Sequence, residues 1–362
     1  MAEKDIIKMT RGELRRLHII YKVIEKELTQ IEAADILGLS ERQIRRITKR
    51  VSAEGEKGII HCLRGKPSSQ RIQKETKDKA INLYKGKYQG FVSTLVNEKL
   101  FEIDKIKLSD ETLREWLIEE GEWKRSRKHR KHRKWRERKH YFGQMIQMDG
   151  SHHDWLEGKC SKLVLMGYID DATNTVFARF YDYEGTIPAM DSFRGYIEQY
   201  GIPQSLYLDK HSTYKSNAKI TVEEELEGKR EPKSQFERVL DELGVEVIHA
   251  NSPQAKGRIE RLFRTFQDRV IKEMRLVGID TKEEANKFLE GYLPLYNKRF
   301  SIVLSRESNL HRRLPVEMNL DSILSIKTKR VLRNDFTITH NKQLYQIEDI
   351  PLNTRVNAVW ID

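Results

Sequence analysis

The sequence predicts a multidomain fold with all-α helix-turn-helix units at the N-terminus, a central α/β domain with a mixed sheet, and a small β-rich domain at the C-terminus. Three observations support this. The chain of 362 residues exceeds the usual size of one domain. Apolar residues recur at helical spacing up to about residue 120, and short β-like runs begin near Gln144. We place domain boundaries at 1–62, 70–122, 141–300 and 325–362, with a basic linker at 123–140.

The first segment has the pattern of a helix-turn-helix. Thr29 with Glu32 and Ser40 with Gln43 match the S/T-x-x-E/Q capping box, which marks two helix starts. Gly38 lies between them, where it can adopt the left-handed conformation that ends one helix and lets the next cross it.

The second helix of this motif is predicted to bury Ile44 and Ile47 and to present a basic outer face. Such a helix can enter a major groove and contact bases and phosphates. The predicted DNA-binding residues are Arg42, Gln43, Arg45 and Arg46. An ordinary helical hairpin with basic solvent-facing residues is the alternative.

Residues 65–71 are rich in Gly, Pro and Ser and are expected to form a linker to a second helical unit. Its predicted helices span residues 74–84, 91–100 and 110–119, the last beginning at a Ser109 cap. Four glutamates make this last helix a poor ligand for phosphate, so we expect little DNA contact from it.

The positive charge is concentrated in one place. The chain has a formal net charge of +12, and residues 124–139 contain eleven Lys or Arg and one acid, Glu137. We interpret this run as a tether on DNA phosphates, with a solvated spacer as the alternative. The cations predicted to contact DNA are Arg127, Lys128, Arg130, Lys131, Arg133 and Lys134.

Other features exclude several classes of protein. Cys62 and Cys160 are the only cysteines, which argues against a disulfide framework or a paired-cysteine zinc site. No signal peptide and no apolar stretch long enough to cross a membrane is present in the sequence. We therefore expect an intracellular, cytoplasmic protein with no membrane partner.

The central domain has a mixed α/β order. Predicted strands at 145–148, 163–169 and 175–181 are followed by a helix at 187–200, a strand at 205–208, a helix at 235–243, a strand at 245–249 and a long helix from near Pro253. Ribonuclease H-like domains have this order. Further strands at 336–339, 344–347 and 356–360 end the chain, so a small C-terminal barrel is expected to be incomplete.

Three acidic residues stand out in this domain. Asp149 and Asp209 each follow an apolar strand, and Glu260 lies on the long helix. An unpaired carboxylate is costly to bury, and metal ions would relieve that cost. Mg²⁺ prefers hard oxygen ligands, and a pair of such ions serves phosphoryl transfer. The alternative is that the two aspartates cap strand ends and Glu260 is a surface acid.

Three motifs contain these acids: QMDGS around Asp149, LDKHSTY around Asp209, and NSPQAKGRIERLFRTFQDR around Glu260. In them the chain resembles the integrase-type DDE cores of bacterial insertion-sequence transposases, in particular the ISNCY group, and of retroviral integrases. One departure is the gap of 51 positions between Asp209 and Glu260, which the charged segment 215–233 accounts for.

The resemblance implies a ribonuclease H-like catalytic core in which Asp149, Asp209 and Glu260 are catalytic and hold two Mg²⁺ (or Mn²⁺) ions. It implies cleavage at transposon ends and attack of the freed 3′-hydroxyls on target DNA. The partners would be double-stranded DNA, both terminal repeats and target, and at least a second copy of the chain on that DNA. A DNA-binding regulator with an inactive core and a structure-selective nuclease are the alternatives.

The helix around Glu260 is predicted to have two faces. Lys256, Arg264 and Gln267 would share the Glu260 face and contact DNA, although a salt-bridged exposed face is the alternative. The opposite face would be buried through Ile259, Leu262, Phe263 and Phe266. Ser252 and Pro253 suit an N-cap and first turn.

Other polar residues lie near the three acids in sequence. For Asp170 and Asp171 a role in a turn, or in supporting the catalytic acids, is favoured over that of a fourth catalytic carboxylate. His152, His153, His211 and Tyr214 are candidates for DNA contacts.

Overall fold

A computed structural model describes residues 7–65, 71–124, 137–216, 232–249, 256–304, 308–315, 317–330, 333, 335–340, 342–346 and 359–361. The chain divides into two compact units, residues 1–79 and 80–362. Among the described residues, no helix is both long and apolar enough to cross a membrane.

The first unit contains α1 (Arg11–Ile24), α2 (Gln30–Leu37) and α3 (Glu41–Glu54), followed by a 3₁₀ turn at Gly55–Ile59. Thr29 and Glu32 cap α2 reciprocally, and the Ser40 hydroxyl accepts a hydrogen bond from the Gln43 amide. Gly38 ends α2 in the left-handed conformation, with φ of 62°. The predicted helix-turn-helix is therefore confirmed.

The three helices enclose a small apolar core. Leu17, Ile20, Ala34, Ile44 and Ile47 are buried in it. The residues of α3 predicted to contact DNA are all exposed: Arg42, Gln43, Arg45 and Arg46. Burial of the isoleucines thus leaves the basic face of α3 exposed to solvent, where Arg45 donates a hydrogen bond to Gln30 Oε1 at 3.4 Å.

Three helices precede the sheet. They are α4 (Lys74–Lys87), α5 (Ser93–Glu102) and α6 (Asp110–Glu119). Ser109 caps α6 as predicted, since its hydroxyl accepts a hydrogen bond from the Thr112 amide at 3.1 Å. Phe91, predicted as the start of the second helix, lies just before α5 and is buried in the core of this helical group.

The central sheet has five strands in the order β3-β2-β1-β4-β5. Strands β1, β2 and β3 are antiparallel neighbours, while β4 and β5 run parallel to β1. The strands are β1 (Ile146–His153), β2 (Leu163–Asp170), β3 (Val176–Tyr181), β4 (Ser205–Leu208) and β5 (Glu246–His249). This is the ribonuclease H-like arrangement, and the predicted fold class is confirmed.

Helices cover both faces of the sheet. On one face are α7 (Thr186–Tyr200) and α8 (Gln235–Glu242), and on the other α9 (Gly257–Val277) and α10 (Lys282–Phe300). Because side chains alternate along a strand, β2 contributes to both cores. Val164 and Met166 belong to the α7 and α8 side, whereas Leu163 and Leu165 belong to the α9 and α10 side.

Two boundaries near the acids differ from the prediction. Strand β1 continues to His153 rather than ending at Met148, so Asp149 lies within it. Helix α9 begins at Gly257 with Lys256 as its N-cap, not near Pro253. Ser252 and Pro253 lie outside the described residues, as do 217–231 of the charged segment.

After α11 (Leu320–Ile323) come four short strands: β6 (Thr328–Arg330), β7 (Thr337–His340), β8 (Gln343–Gln346) and β9 (Val359–Ile361). They form two antiparallel pairs, β6 with β9 and β7 with β8. The β-rich character of this region is as predicted, while β6 was not expected from the sequence.

Candidate active site

The register of two parallel strands brings Asp149 and Asp209 together. Gln147 of β1 pairs with Tyr207 of β4. The two aspartates each lie two residues further along and therefore come level with one another. Lys256 contacts both carboxylates, with its Nζ 3.1 Å from Asp149 Oδ1 and 3.4 Å from Asp209 Oδ2.

This arrangement is largely shielded from water. The Lys256 side chain is 8% exposed and that of Asp149 is 21% exposed. Burial raises the pKa of Asp149, the Lys256 ammonium opposes that rise, and the charges of Asp209 and Glu184 add to it. The Lys256 ammonium therefore favours the ionised form of Asp149 at a place where burial disfavours it.

The donor set fits a hard divalent cation. Two carboxylates already share one positive charge, that of Lys256, and carboxylate oxygens are the ligands that Mg²⁺ prefers. Among the described residues, however, no three His, Cys, Asp or Glu side chains are grouped to hold a metal ion. In this structure the Lys256 ammonium is the cation that contacts both Asp149 and Asp209.

Glu260 lies one helical turn beyond Lys256 on α9 and is half-buried. Near this residue, helix α9 approaches the sheet closely. Gly167 pairs with Asp149 across β1 and β2, and a Cβ at Gly167 would lie 2.7 Å from the Phe263 ring. Because Gly167 has no side chain, α9 can pack directly against β2 at the position paired with Asp149.

The predicted faces of α9 are found in part. The four apolar residues are buried: Ile259, Leu262, Phe263 and Phe266. Arg264 is exposed, and Gln267 donates a hydrogen bond to the Ser151 hydroxyl at 3.2 Å. Lys256 was expected on the exposed face as a DNA contact. Instead its side chain is buried and contacts Asp149 and Asp209. The predicted tether cations Arg127, Lys128, Arg130, Lys131, Arg133 and Lys134 lie outside the described residues.

A buried polar cluster joins β1 to the start of α9. Asp171 is fully buried, and its Oδ1 accepts hydrogen bonds from Gln147 Nε2 at 2.8 Å and from Arg258 Nη1 at 2.9 Å. The Ile259 amide donates to Gln147 Oε1 at 3.4 Å. Removing one partner of a buried ion pair typically costs about 3–5 kcal/mol, so this cluster strongly constrains where α9 begins.

Asp170 has a different role from Asp171. Its Oδ1 accepts hydrogen bonds from the backbone amides of Ala172 and Thr173, at 3.1 and 2.7 Å. It thereby caps the turn from β2 to β3. Neither aspartate lies in the carboxylate pair, in agreement with the supporting roles favoured from the sequence.

Glu184 was not singled out in the sequence, and it lies at the site. Its Oε1 accepts a hydrogen bond from the Tyr214 hydroxyl at 3.1 Å, and its Oε2 lies 2.9 Å from His152 Nε2. Tyr214 is fully buried, so it is not the DNA contact suggested by its position after Asp209. An isolated acid in a turn has no local pattern, so only the tertiary structure identifies Glu184.

The fold defines a class: ribonuclease H-like domains, here preceded by a helix-turn-helix unit. Residues 16–78 match the family described as winged helix-turn helix. The chain is 36% identical over 346 residues to transposase y4bF of Sinorhizobium fredii, covering 95% of this chain and 74% of that protein. The chain belongs to this family of bacterial transposases, as its motifs indicated.

A second relative is the transposase for insertion sequence IS1202 of Streptococcus pneumoniae, 27% identical over 372 residues, covering 92% of this chain and 78% of the relative. Among solved structures, the HTLV-2 integrase catalytic core in complex with magnesium has 14% identity and a TM-score of 0.30, covering 41% of this chain and 83% of that one. A chain of the simian T-cell lymphotropic virus intasome has 14% identity and a TM-score of 0.38, covering 78% and 95%.

Proposed function

We propose that this transposase binds the terminal repeats of an insertion sequence, cleaves its ends and transfers the 3′-hydroxyls to target DNA by two-metal-ion phosphoryl transfer. The observation that carries the proposal is the contact of Asp149 and Asp209 with one buried cation, the Lys256 ammonium. Asp149, Asp209 and Glu260 would hold two Mg²⁺ or Mn²⁺ ions. Such ions activate the attacking hydroxyl and stabilise the leaving oxygen.

The residues of the chain then have distinct roles. The two aspartates supply negative charge from adjacent strands, Asp149 from a mostly buried position and Asp209 from a partly exposed one, and Glu260 supplies a third carboxylate from α9. Lys256 offsets part of the negative charge of the two aspartates. It would contact a phosphate of the DNA end if cations took its place between them. Arg264 and Gln267, further along α9, hold the same DNA end in place.

The N-terminal unit provides sequence recognition. Exposed Arg42, Gln43, Arg45 and Arg46 on α3 enter the major groove of the terminal repeat. Because two ends are joined to one target, the active species is at least a dimer on DNA. It acts in the cytoplasm, on DNA of the nucleoid.

The test is a cleavage assay with the full chain, a labelled duplex of the transposon end and a random duplex of equal length, in Mg²⁺ or Mn²⁺. We expect end-specific cleavage that leaves 3′-hydroxyls, followed by joined products. Asp149→Asn, Asp209→Asn and Glu260→Gln should each abolish cleavage with nearly unchanged DNA binding. The control Glu290→Gln, at an exposed carboxylate of α10, should cleave normally.

Each other outcome supports a different function. Specific binding of the end without cleavage in either metal would identify a regulator. Equal cleavage of both duplexes would identify a nuclease. Full cleavage by Glu260→Gln would remove the third carboxylate from the mechanism.

A further inference from the structure

The turn after β3 holds a carboxylate in a fixed position. Glu184 is 11% exposed, and each of its two oxygens has a partner. The Tyr214 hydroxyl donates to Oε1 at 3.1 Å, and His152 Nε2 lies 2.9 Å from Oε2. Since Tyr214 is fully buried and His152 is on β1, these contacts anchor Glu184 to the domain that contains the aspartates.

Glu184 is directed towards the chain beside Asp149. A Cβ on Gly150, the next residue, would lie 2.7 Å from the Glu184 carboxyl carbon. Burial is the largest cause of the raised pKa of Asp149; the Lys256 ammonium opposes the rise, and the charges of Asp209 and then Glu184 add to it. Glu184 therefore places a further negative charge beside the β1 backbone next to Asp149, in addition to the two carboxylates that Lys256 contacts.

We propose that Glu184 is a positioning residue for cation binding: its carboxylate, held by Tyr214 and His152, strengthens the binding of divalent cations by Asp149 and Asp209. It acts through its charge and through the placement of the β1 backbone at Gly150, without being a ligand. The inference rests on the proposed function, since it assumes that the aspartates bind cations. Groups that support metal ligands in this way typically change affinity by about 10–100-fold when mutated.

The test is calorimetric titration of the full chain with Mn²⁺. Glu184→Gln keeps the shape of the side chain and removes its charge, so the dissociation constant of Mn²⁺ should rise about 10-fold or more. Asp182→Asn is the matched control: it removes a charge two residues earlier, at an exposed carboxylate paired with Lys282, and should change the dissociation constant less than about 2-fold.

Two further variants separate positioning from folding. Tyr214→Phe and His152→Gln each remove one hydrogen bond of Glu184 and leave its charge, so each should raise the dissociation constant by less than Glu184→Gln does. In the cleavage assay, Glu184→Gln should need more Mn²⁺ for half-maximal rate yet approach the normal rate at saturating Mn²⁺. A general loss of structure would lower the maximal rate instead.

An unchanged dissociation constant of Mn²⁺ in Glu184→Gln would overturn the inference. So would an equal rise of this constant in Asp182→Asn. If Glu184→Gln lowers the melting temperature, the result for His152→Gln decides, because that side chain is 64% exposed and its loss leaves the core intact. Asp149→Asn tests the proposed function separately. If it binds Mn²⁺ like the unchanged protein, the cation site itself is misassigned.

Discussion

At the scale of single residues, His311 shows how a hydrogen-bond pattern determines protonation. Its Nδ1 lies 2.6 Å from Asn309 Oδ1, an acceptor, so Nδ1 bears the proton. Its Nε2 lies 2.7 Å from the Tyr196 hydroxyl and accepts its hydrogen bond. Burial lowers the pKa of His311 to about 4, and both contacts suit the neutral ring.

The pKa of His311 predicts acid sensitivity. In the unfolded chain a histidine takes up a proton near pH 6.5, whereas in the folded chain His311 does so only near its pKa of about 4. The contribution of neutral His311 to the free energy of unfolding is therefore fully present above pH 6.5 and is lost as pH falls from 6.5 towards 4. Between pH 7 and pH 5 the loss attributable to His311 should be about 2 kcal/mol.

Urea denaturation at several pH values measures this loss. In His311→Gln the decrease between pH 7 and pH 5 should be smaller by about that amount. His18→Gln, which replaces an exposed histidine of α1, is the control and should keep the original pH profile. An identical profile in His311→Gln would mean that other groups cause the acid sensitivity.

At the scale of elements, α3 presents one face to the core and the other to solvent. The helix is amphipathic because Ile44, Ile47 and Val51 recur at intervals of three and four residues. A capped start at Ser40 fixes which residues face outward. The exposed basic face is thus a direct consequence of local sequence and suits a recognition helix.

We predict that Arg42, Gln43 and Arg46 read bases of the terminal repeat. Replacing each by Ala should weaken binding to the end duplex by about 1–3 kcal/mol and binding to random duplex by less. Lys49→Ala, at an exposed position further along the helix, is the control. Equal losses on the two duplexes, measured by fluorescence anisotropy, would show that these side chains contact only phosphates.

At the scale of the whole molecule, ion pairs join the α4–α6 helical group to the catalytic core within the second unit. Glu98 of α5 pairs with Arg269 of α9 and with Arg299 of α10. Arg299 donates from Nη2 to Glu98 Oε1 at 2.6 Å and from Nη1 to Glu98 Oε2 at 2.8 Å. Lys99 pairs with Glu273 at 2.8 Å. These contacts connect residues 171 or more positions apart in the chain.

Glu98→Ala should weaken the attachment of this helical group to the core, although the Lys99–Glu273 pair remains. Arg269 is 12% exposed and would lose its partner, so the free energy of unfolding should fall by about 3 kcal/mol. Glu102→Ala on the same helix is the matched control, since its carboxylate is 51% exposed and its loss should cost below about 1 kcal/mol. If urea denaturation showed similar losses in the free energy of unfolding for Glu98→Ala and Glu102→Ala, a docking role for Glu98 would be contradicted.

Much of the architecture could be predicted from local sequence, because caps and periodicity act over a few residues. Thr29, Ser40 and Gly38 define the helix-turn-helix by contacts within three or four positions. The apolar runs before Asp149 and Asp209 predicted two strands followed by these acids, although β1 continues past Asp149 to His153. The three motifs around Asp149, Asp209 and Glu260 indicated the class of protein through their resemblance to integrase-type DDE cores.

The arrangement of the site was decided by the tertiary structure. The pairing of Gln147 with Tyr207 sets Asp149 level with Asp209, and packing of α9 behind Gly167 brings Lys256 between them. Glu184, from the turn after β3, lies against Gly150, the residue that follows Asp149. Such contacts depend on strand register and helix packing between distant segments, and no periodicity within one segment contains that information.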